Sequence, residues 1–211
     1  MKFFILFFIL FPVLAFAENT DWQNGDLIFQ TSASKQSYAI MWASKSLYSH
    51  VGIVEVSGNK KYVIEAISKV SRTPLEKWIQ RGRLKRYSVY RDASLSEEIR
   101  NKIVTTAKTY LGKPYDIFFT SYNQEIYCSE LVYLVYQKLH LSSGQMQKVK
   151  TLDVNNSIVK KLVEQRWRRH PVCKKMKNFE QCWNKILDDE LVTPDSIASD
   201  TQFKKVWSNY P

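Results

Sequence analysis

The chain lacks the features that define several protein classes. Its 211 residues include three cysteines and three histidines. Apart from a loose group at His170, Cys173 and Cys182, no pair of them has zinc-like spacing, so neither metal nor cofactor is expected. There is no internal repeat, which argues against solenoid and propeller architectures. No acidic or Ser/Gly-rich run marks a disordered domain or long linker. Beyond the first residues, no apolar stretch is long enough to cross a bilayer.

What is present fits a soluble globular protein: 45% hydrophobic and 24% charged residues. The length suits one domain with a buried core. The start differs from the rest. Met1-Lys2 is a short positive region, Phe3 to Phe16 is apolar, and Ala15-Phe16-Ala17 places small residues where a signal peptidase reads. The apolar stretch is about 14 residues, against about 20 for a spanning helix. Residues 1–17 are therefore read as a cleaved secretory signal and 18–211 as the mature domain, periplasmic or secreted. No cysteine follows the cleavage point, so a lipidated N-terminus is not indicated.

Export makes disulfides accessible. Three cysteines leave at least one thiol unpaired within the chain. Cys173 and Cys182 lie close together, and their pairing leaves Cys128 free. The net charge is +11, concentrated late at Lys160-Lys161, Arg166, Arg168-Arg169, Lys174-Lys175 and Lys177. Export disfavours nucleic acid as its partner. Two readings remain, a solvated helix face and a surface that docks on an anionic wall polymer or lipid.

Along the chain, Asn24-Gly25-Asp26 reads as a turn before a strand at Leu27-Ile28-Phe29. A helix is expected over 37–47. His50 to Val56 and Lys61 to Ile67 read as strands joined by a turn at Ser57-Gly58-Asn59-Lys60. Pro74 to Ile79 reads as a short helix capped by Thr73, and Tyr87 to Tyr90 as a strand. A helix over 96–111 has Ile99, Ile103 and Ala107 on one face and Gly112 at its end. Another runs from about Cys128 to Leu139, a third over 152–167, and a short one opens at Thr193-Pro194-Asp195. A sheet with helices before and after it is an α+β domain.

Three side chains form the candidate site. Cys128 begins a helix, where unpaired N–H groups and the helix dipole favour a thiolate and suit an oxyanion; the bland alternative is a buried inert thiol. His50 opens a strand, with Gly52 on the same face leaving open space beside the imidazole. Of the other histidines, His140 lies at a helix end and His170 in the basic tail. Glu65 lies within an apolar run on the neighbouring strand and needs a partner if buried, so it is positioned to orient His50. Glu55 and Glu130 are rivals. Glu55 falls on the other face of the strand, and Glu130 suits the helix dipole.

Two segments carry a family resemblance. Tyr110-Leu111-Gly112-Lys113-Pro114-Tyr115-Asp116, then Tyr127-Cys128-Ser129-Glu130-Leu131-Val132, resembles the cysteine-helix signature of the NlpC/P60 superfamily. Here the histidine segment Tyr48-Ser49-His50-Val51-Gly52-Ile53-Val54 precedes the cysteine, an order similar to the circularly permuted YiiX/YaeF-like papain-like hydrolases. Gly25-Asp26-Leu27-Ile28-Phe29-Gln30-Thr31 and Thr193-Pro194-Asp195-Ser196-Ile197 also match. The resemblance implies a permuted papain-like fold, with a small antiparallel barrel-like sheet packed on the cysteine helix. It implies Cys128 as nucleophile, His50 as base, Glu65 as orienting acid and Tyr115 near the oxyanion. The basic insertion at about 166–184, with its two cysteines, is outside the pattern.

The primary expectation is an amidase or peptidase acting through an acyl-enzyme on a peptide or wall peptide. A second is an acyl-lipid enzyme, since the lecithin:retinol acyltransferase group is similarly permuted and Phe118, Phe119 and Tyr122 could line a lipid groove; ordinary core packing also accounts for these aromatics. A third is a non-catalytic module that docks through the basic tail. Oligomeric state is not readable.

Overall fold

The computed structural model describes residues 21–120 and 124–211. The expected signal segment, and Tyr122, lie outside the described residues. A six-stranded antiparallel sheet organises the chain: β1 (Leu27–Ser32), β2 (His50–Ser57), β3 (Lys60–Ala66), β4 (Val70–Pro74), β5 (Gly82–Arg91) and β8 (Lys204–Ser208), in the order β4-β3-β2-β1-β5-β8. The sheet is open, with β4 and β8 as its edges. The expected hairpin forms in register, with Ile53 opposite Ile64 and Ser57 opposite Lys60. Its turn contains Gly58, whose φ of 56° is cheap only for a residue without Cβ.

Alternation divides the sheet into two faces. On one, Leu27, Phe29, Val51, Ile53 and Ile64 meet α3 (Glu97–Lys108) and α4 (Cys128–Lys138), which contribute Ile103, Leu131 and Val135 to the main core. On the other, Ile28, Val54, Val63 and Val89 pack with Trp78 of α2 (Leu75–Arg81). Trp78 is fully buried, and such burial of an aromatic stabilises by about 2–3 kcal/mol. Ser96 caps α3 by accepting from the Ile99 N–H, and acidic Glu97 and Glu98 occupy its first turn, as the helix dipole favours.

Two local expectations are corrected. Thr73 and Pro74 do not open α2 as cap and first residue. They end edge strand β4, Pro74 is the helix cap, and the Thr73 hydroxyl turns to Glu65. The expected 37–47 helix, α1, runs earlier, from Lys35 to Ser44, because Ser34 caps it through the Ser37 N–H.

A third core lies in a helical module built from α5 (Ser157–Glu164) and α6 (Phe179–Ile186). Val149, Val154, Val159, Trp183 and Ile186 are buried there beside Cys173 and Cys182, which form a disulfide. Both helices are strongly amphipathic, and α5 packs on α1. A short ladder of β6 (Gln147–Lys148) and β7 (Glu190–Leu191) closes the base of the module. Helix α7 (Pro194–Ala198) follows, capped by Thr193 through the Ser196 N–H at 3.0 Å.

Candidate active site

Position comes first from β2 and α4. The start of α4 is tied down on its far side: the Ser129 hydroxyl donates to the Val192 carbonyl at 2.8 Å, and the Tyr127 hydroxyl accepts from the Val192 N–H at 3.1 Å. The Glu130 carboxylate accepts from the Tyr127 N–H at 3.3 Å. Glu130 therefore serves the start of α4. Glu55, the other rival, is held by Arg72 at 2.5 Å and Lys108 at 2.6 Å, away from His50.

Glu65, His50 and Cys128 form one chain of contacts. The His50 ring meets Glu65 Oε2 through Nε2 at 2.6 Å, leaving Nδ1 for the Cys128 thiol, whose charge acts on the imidazole. All three are buried, Glu65 completely. Three groups satisfy the carboxylate: His50 on Oε2, and Thr73 Oγ1 at 2.6 Å and Arg81 Nη2 on Oε1. This is what a buried carboxylate requires. Trp78 stacks on the imidazole at 5.9 Å and walls its other side.

Gly52 has a different role from the one expected. The space beside it is not open. A Cβ there would collide with the Val63 side chain and come within 3.4 Å of Glu65 Cβ. Gly52 lets β3 approach closely enough for Glu65 to reach His50.

The electrostatics follow from this packing. Burial alone would depress the His50 pKa, but the hydrogen bonds and charges of Cys128 and Glu65 outweigh it and raise it to about 10. Burial alone would raise the Cys128 pKa, but His50 and the backbone N–H groups of Val51 and Ser129 lower it. Neighbouring groups thus favour a thiolate–imidazolium pair inside an apolar enclosure. The Glu65 carboxyl is also held below its usual range: burial opposes this, and His50, Thr73 and Arg81 overcome it.

The 110–116 segment brings Tyr115 to the site. Gly112, at φ 88°, turns the chain after α3, and its N–H donates to the Val70 carbonyl at 2.9 Å. The Tyr115 N–H donates to the Ser68 carbonyl at 3.2 Å. Asp116 then fixes the following turn by accepting from the Phe118 and Thr120 N–H groups, each at 2.7 Å. The Tyr115 hydroxyl accepts from Gln36 Nε2 at 3.0 Å, so its own proton is free to point elsewhere. Burial and the nearby Cys128 charge hold this phenol well above its usual pKa, and it remains a donor.

Two cavities reach the site. A cleft of about 540 Å³ is lined by His50, Tyr115, Gln36, Ser49, Arg81 and Arg166. A narrower apolar slot of about 120 Å³ touches Cys128 from the module side and is lined by Ile40, Phe119, Leu162 and Ile186. Of the aromatics singled out earlier, Phe119 faces this slot, while Phe118 packs edge-on against His170. His140 is exposed.

The structure thus brings together Cys128, His50, Glu65 and Tyr115. Thr73, Arg81, Gln36 and Arg166 were not anticipated in their roles. Only the need of a buried Glu65 for cationic and hydroxyl partners hinted at the first two. Among the described residues, no group of three or more His, Cys, Asp or Glu side chains is arranged to hold a metal. Cys173 and Cys182 are consumed by their disulfide.

Comparison with known proteins finds relatives that span most of the chain. The chain is 37% identical over 191 residues to the uncharacterised protein YiiX of Escherichia coli K12, covering 90% of this chain and 88% of that one. A crystal structure described as the metalloprotein YiiX from Escherichia coli O157:H7 superposes with a TM-score of 0.79 at 38% identity, covering 90% of this chain and 98% of the other. Residues 21–207 match the family described as permuted papain-like amidase enzymes, YaeF/YiiX, C92. With its histidine strand preceding its cysteine helix, this chain belongs to the permuted papain-like amidase family.

Proposed function

We propose that this protein is an exported cysteine amidase in which Cys128 is the nucleophile, His50 the proton carrier and Glu65 the group that positions His50. The observation that carries the reading is the imidazole of His50 held between Glu65 at 2.6 Å and the Cys128 thiol, in a buried site.

The reaction runs in two halves. The Cys128 thiolate attacks the amide carbonyl carbon, and the π pair moves onto oxygen. That oxyanion is met by the N–H groups of the first turn of α4 and by the Tyr115 hydroxyl. The C–N bond then breaks as the His50 imidazolium gives its proton to the leaving nitrogen, and a thioester remains. Water attacks the thioester, neutral His50 takes the proton, and the carboxylic acid leaves as the thiolate–imidazolium pair re-forms.

A wall peptide is the substrate favoured by the amidase family, the secretory leader and the basic surface. Replacing Cys128 with Ala is expected to abolish hydrolysis of peptide amides in a cleavage assay read by mass spectrometry. Full retained activity would contradict the mechanism.

The apolar slot at Cys128 favours one second reading, an acyl-lipid substrate whose chain enters between α1 and the module. A fatty acyl thioester trapped on Cys128 would establish it. Peptide-amide turnover without any acyl-chain adduct would exclude it.

A further inference from the structure

The cleft that leads to His50 is unevenly charged. Among the described residues, its ionisable lining consists of Arg81, Arg166, His50 and Tyr115, and no Asp or Glu side chain faces it. Arg81 is committed to Glu65. Arg166 is not. It comes from the basic insertion just beyond α5, and its Nη1 donates to two neutral oxygens, Gln36 Oε1 at 2.8 Å and the Ile117 carbonyl at 2.9 Å. Among the described residues, no carboxylate lies within ion-pair distance of it. The charged neighbour acting against it is another cation, Arg169.

A half-buried guanidinium without a counter-ion is costly unless something supplies one. Here its geometry is fixed. Arg166 holds the Gln36 amide by its oxygen, which turns Nε2 toward the Tyr115 hydroxyl. One donor edge is thus engaged in building the site, and the remaining N–H groups are left to the cleft. A planar guanidinium presenting two parallel N–H groups matches a carboxylate. With Arg81 neutralised, the surplus is a single positive charge, which suits a singly charged partner.

We propose that Arg166 is a substrate-recognition residue that binds a carboxylate on the acyl donor, so that the enzyme selects anionic over neutral substrates. This rests on Cys128 being the reactive thiol and deepens the amidase reading by naming a substrate charge. Through Gln36, the same residue also orients Tyr115. The insertion is therefore part of the active site.

The test compares two alkylating agents of nearly equal size on the full mature chain, iodoacetate and iodoacetamide, each reacting at Cys128. In the parent, Arg166 raises the rate of the anionic reagent relative to the neutral one. Arg166→Gln is expected to lower the iodoacetate-to-iodoacetamide ratio by about fivefold, by loss of a nearby positive charge, the iodoacetate rate falling more than the iodoacetamide rate. Arg166→Lys restores most of the ratio, and added salt lowers it in the parent but little in Arg166→Gln. An unchanged ratio in Arg166→Gln overturns the proposal. So does an equal fall in both rates, which makes Arg166 merely structural. Slow iodoacetamide labelling of the parent at every pH instead breaks the nucleophile reading beneath it.

Discussion

The sheet region around β2 and β3 and the helical module around α6 contribute to one cleft but are held together differently. In the sheet region, long-range pairing does the work. His50, Glu65, Thr73 and Arg81 come from β2, β3, β4 and α2, and each of these side chains hydrogen-bonds another of the set within the buried layer. In the module, a small core seals itself with a covalent link between Cys173 and Cys182, nine positions apart. The proposed catalytic groups His50 and Glu65 thus belong to the multiply paired part, and the proposed recognition residue Arg166 to an appended unit closed by a disulfide. The difference teaches that the insertion reaches the cleft through Arg166 and Gln36, while His50 and Glu65 are held by the sheet region alone.

The comparison can be broken most severely at Glu65. Glu65→Gln removes the charge that holds His50 and leaves Arg81 uncompensated. The expected loss is about 3 kcal/mol of stability, measured by urea unfolding, with slower alkylation of Cys128. Parent-like stability would mean that the Glu65 cluster is not what holds this region together.

A smaller effect is expected in the module. Replacing both Cys173 and Cys182 with Ser removes a loop constraint worth about 2–3 kcal/mol. Hydrogen exchange should accelerate over 157–186, while iodoacetamide still labels Cys128 at the parent rate. Loss of Cys128 reactivity would show that the two regions are not separable.

Gly52→Ala tests how closely β2 and β3 approach. The added methyl meets Val63, an overpacking that costs about 1–2 kcal/mol, read by thermal unfolding. The smallest effect belongs to the exposed lysines. Lys174→Gln with Lys175→Gln should change stability by less than about 0.5 kcal/mol. It should weaken binding to anionic wall polymer in a sedimentation assay, if the basic surface docks there.

Much of the sheet region was legible because local patterns and global pairing agree. The β-branched run from His50 to Val56, the turn at Gly58 and the carboxylate within the apolar run 62–67 together place Glu65 beside His50. Cys128 was readable from its helix start and its flanking motif. Partners supplied across the fold were not. Thr73 resembles a helix cap in any local window, and only strand β4, paired at the sheet edge, turns it toward Glu65. Gly52 suggested open space because its neighbour Val63 lies on another strand. In sequence, Arg166 is one charge in a basic tail, since nothing local to it indicates that α5 carries it over α1 to Gln36.

The central claim is that His50 activates Cys128, and the pH dependence of Cys128 alkylation by iodoacetamide tests it most directly. A lowered thiol pKa means that the thiolate persists on the acid side of the free-thiol value, about 8.5. A raised imidazole pKa means that His50 keeps its proton until the pH passes about 10. Labelling should therefore be rapid well below pH ~8.5 in the parent, and His50→Ala should slow it there and move its rise toward the free-thiol value. Labelling that is slow below that value in the parent and unchanged in His50→Ala would contradict an activated thiolate at Cys128.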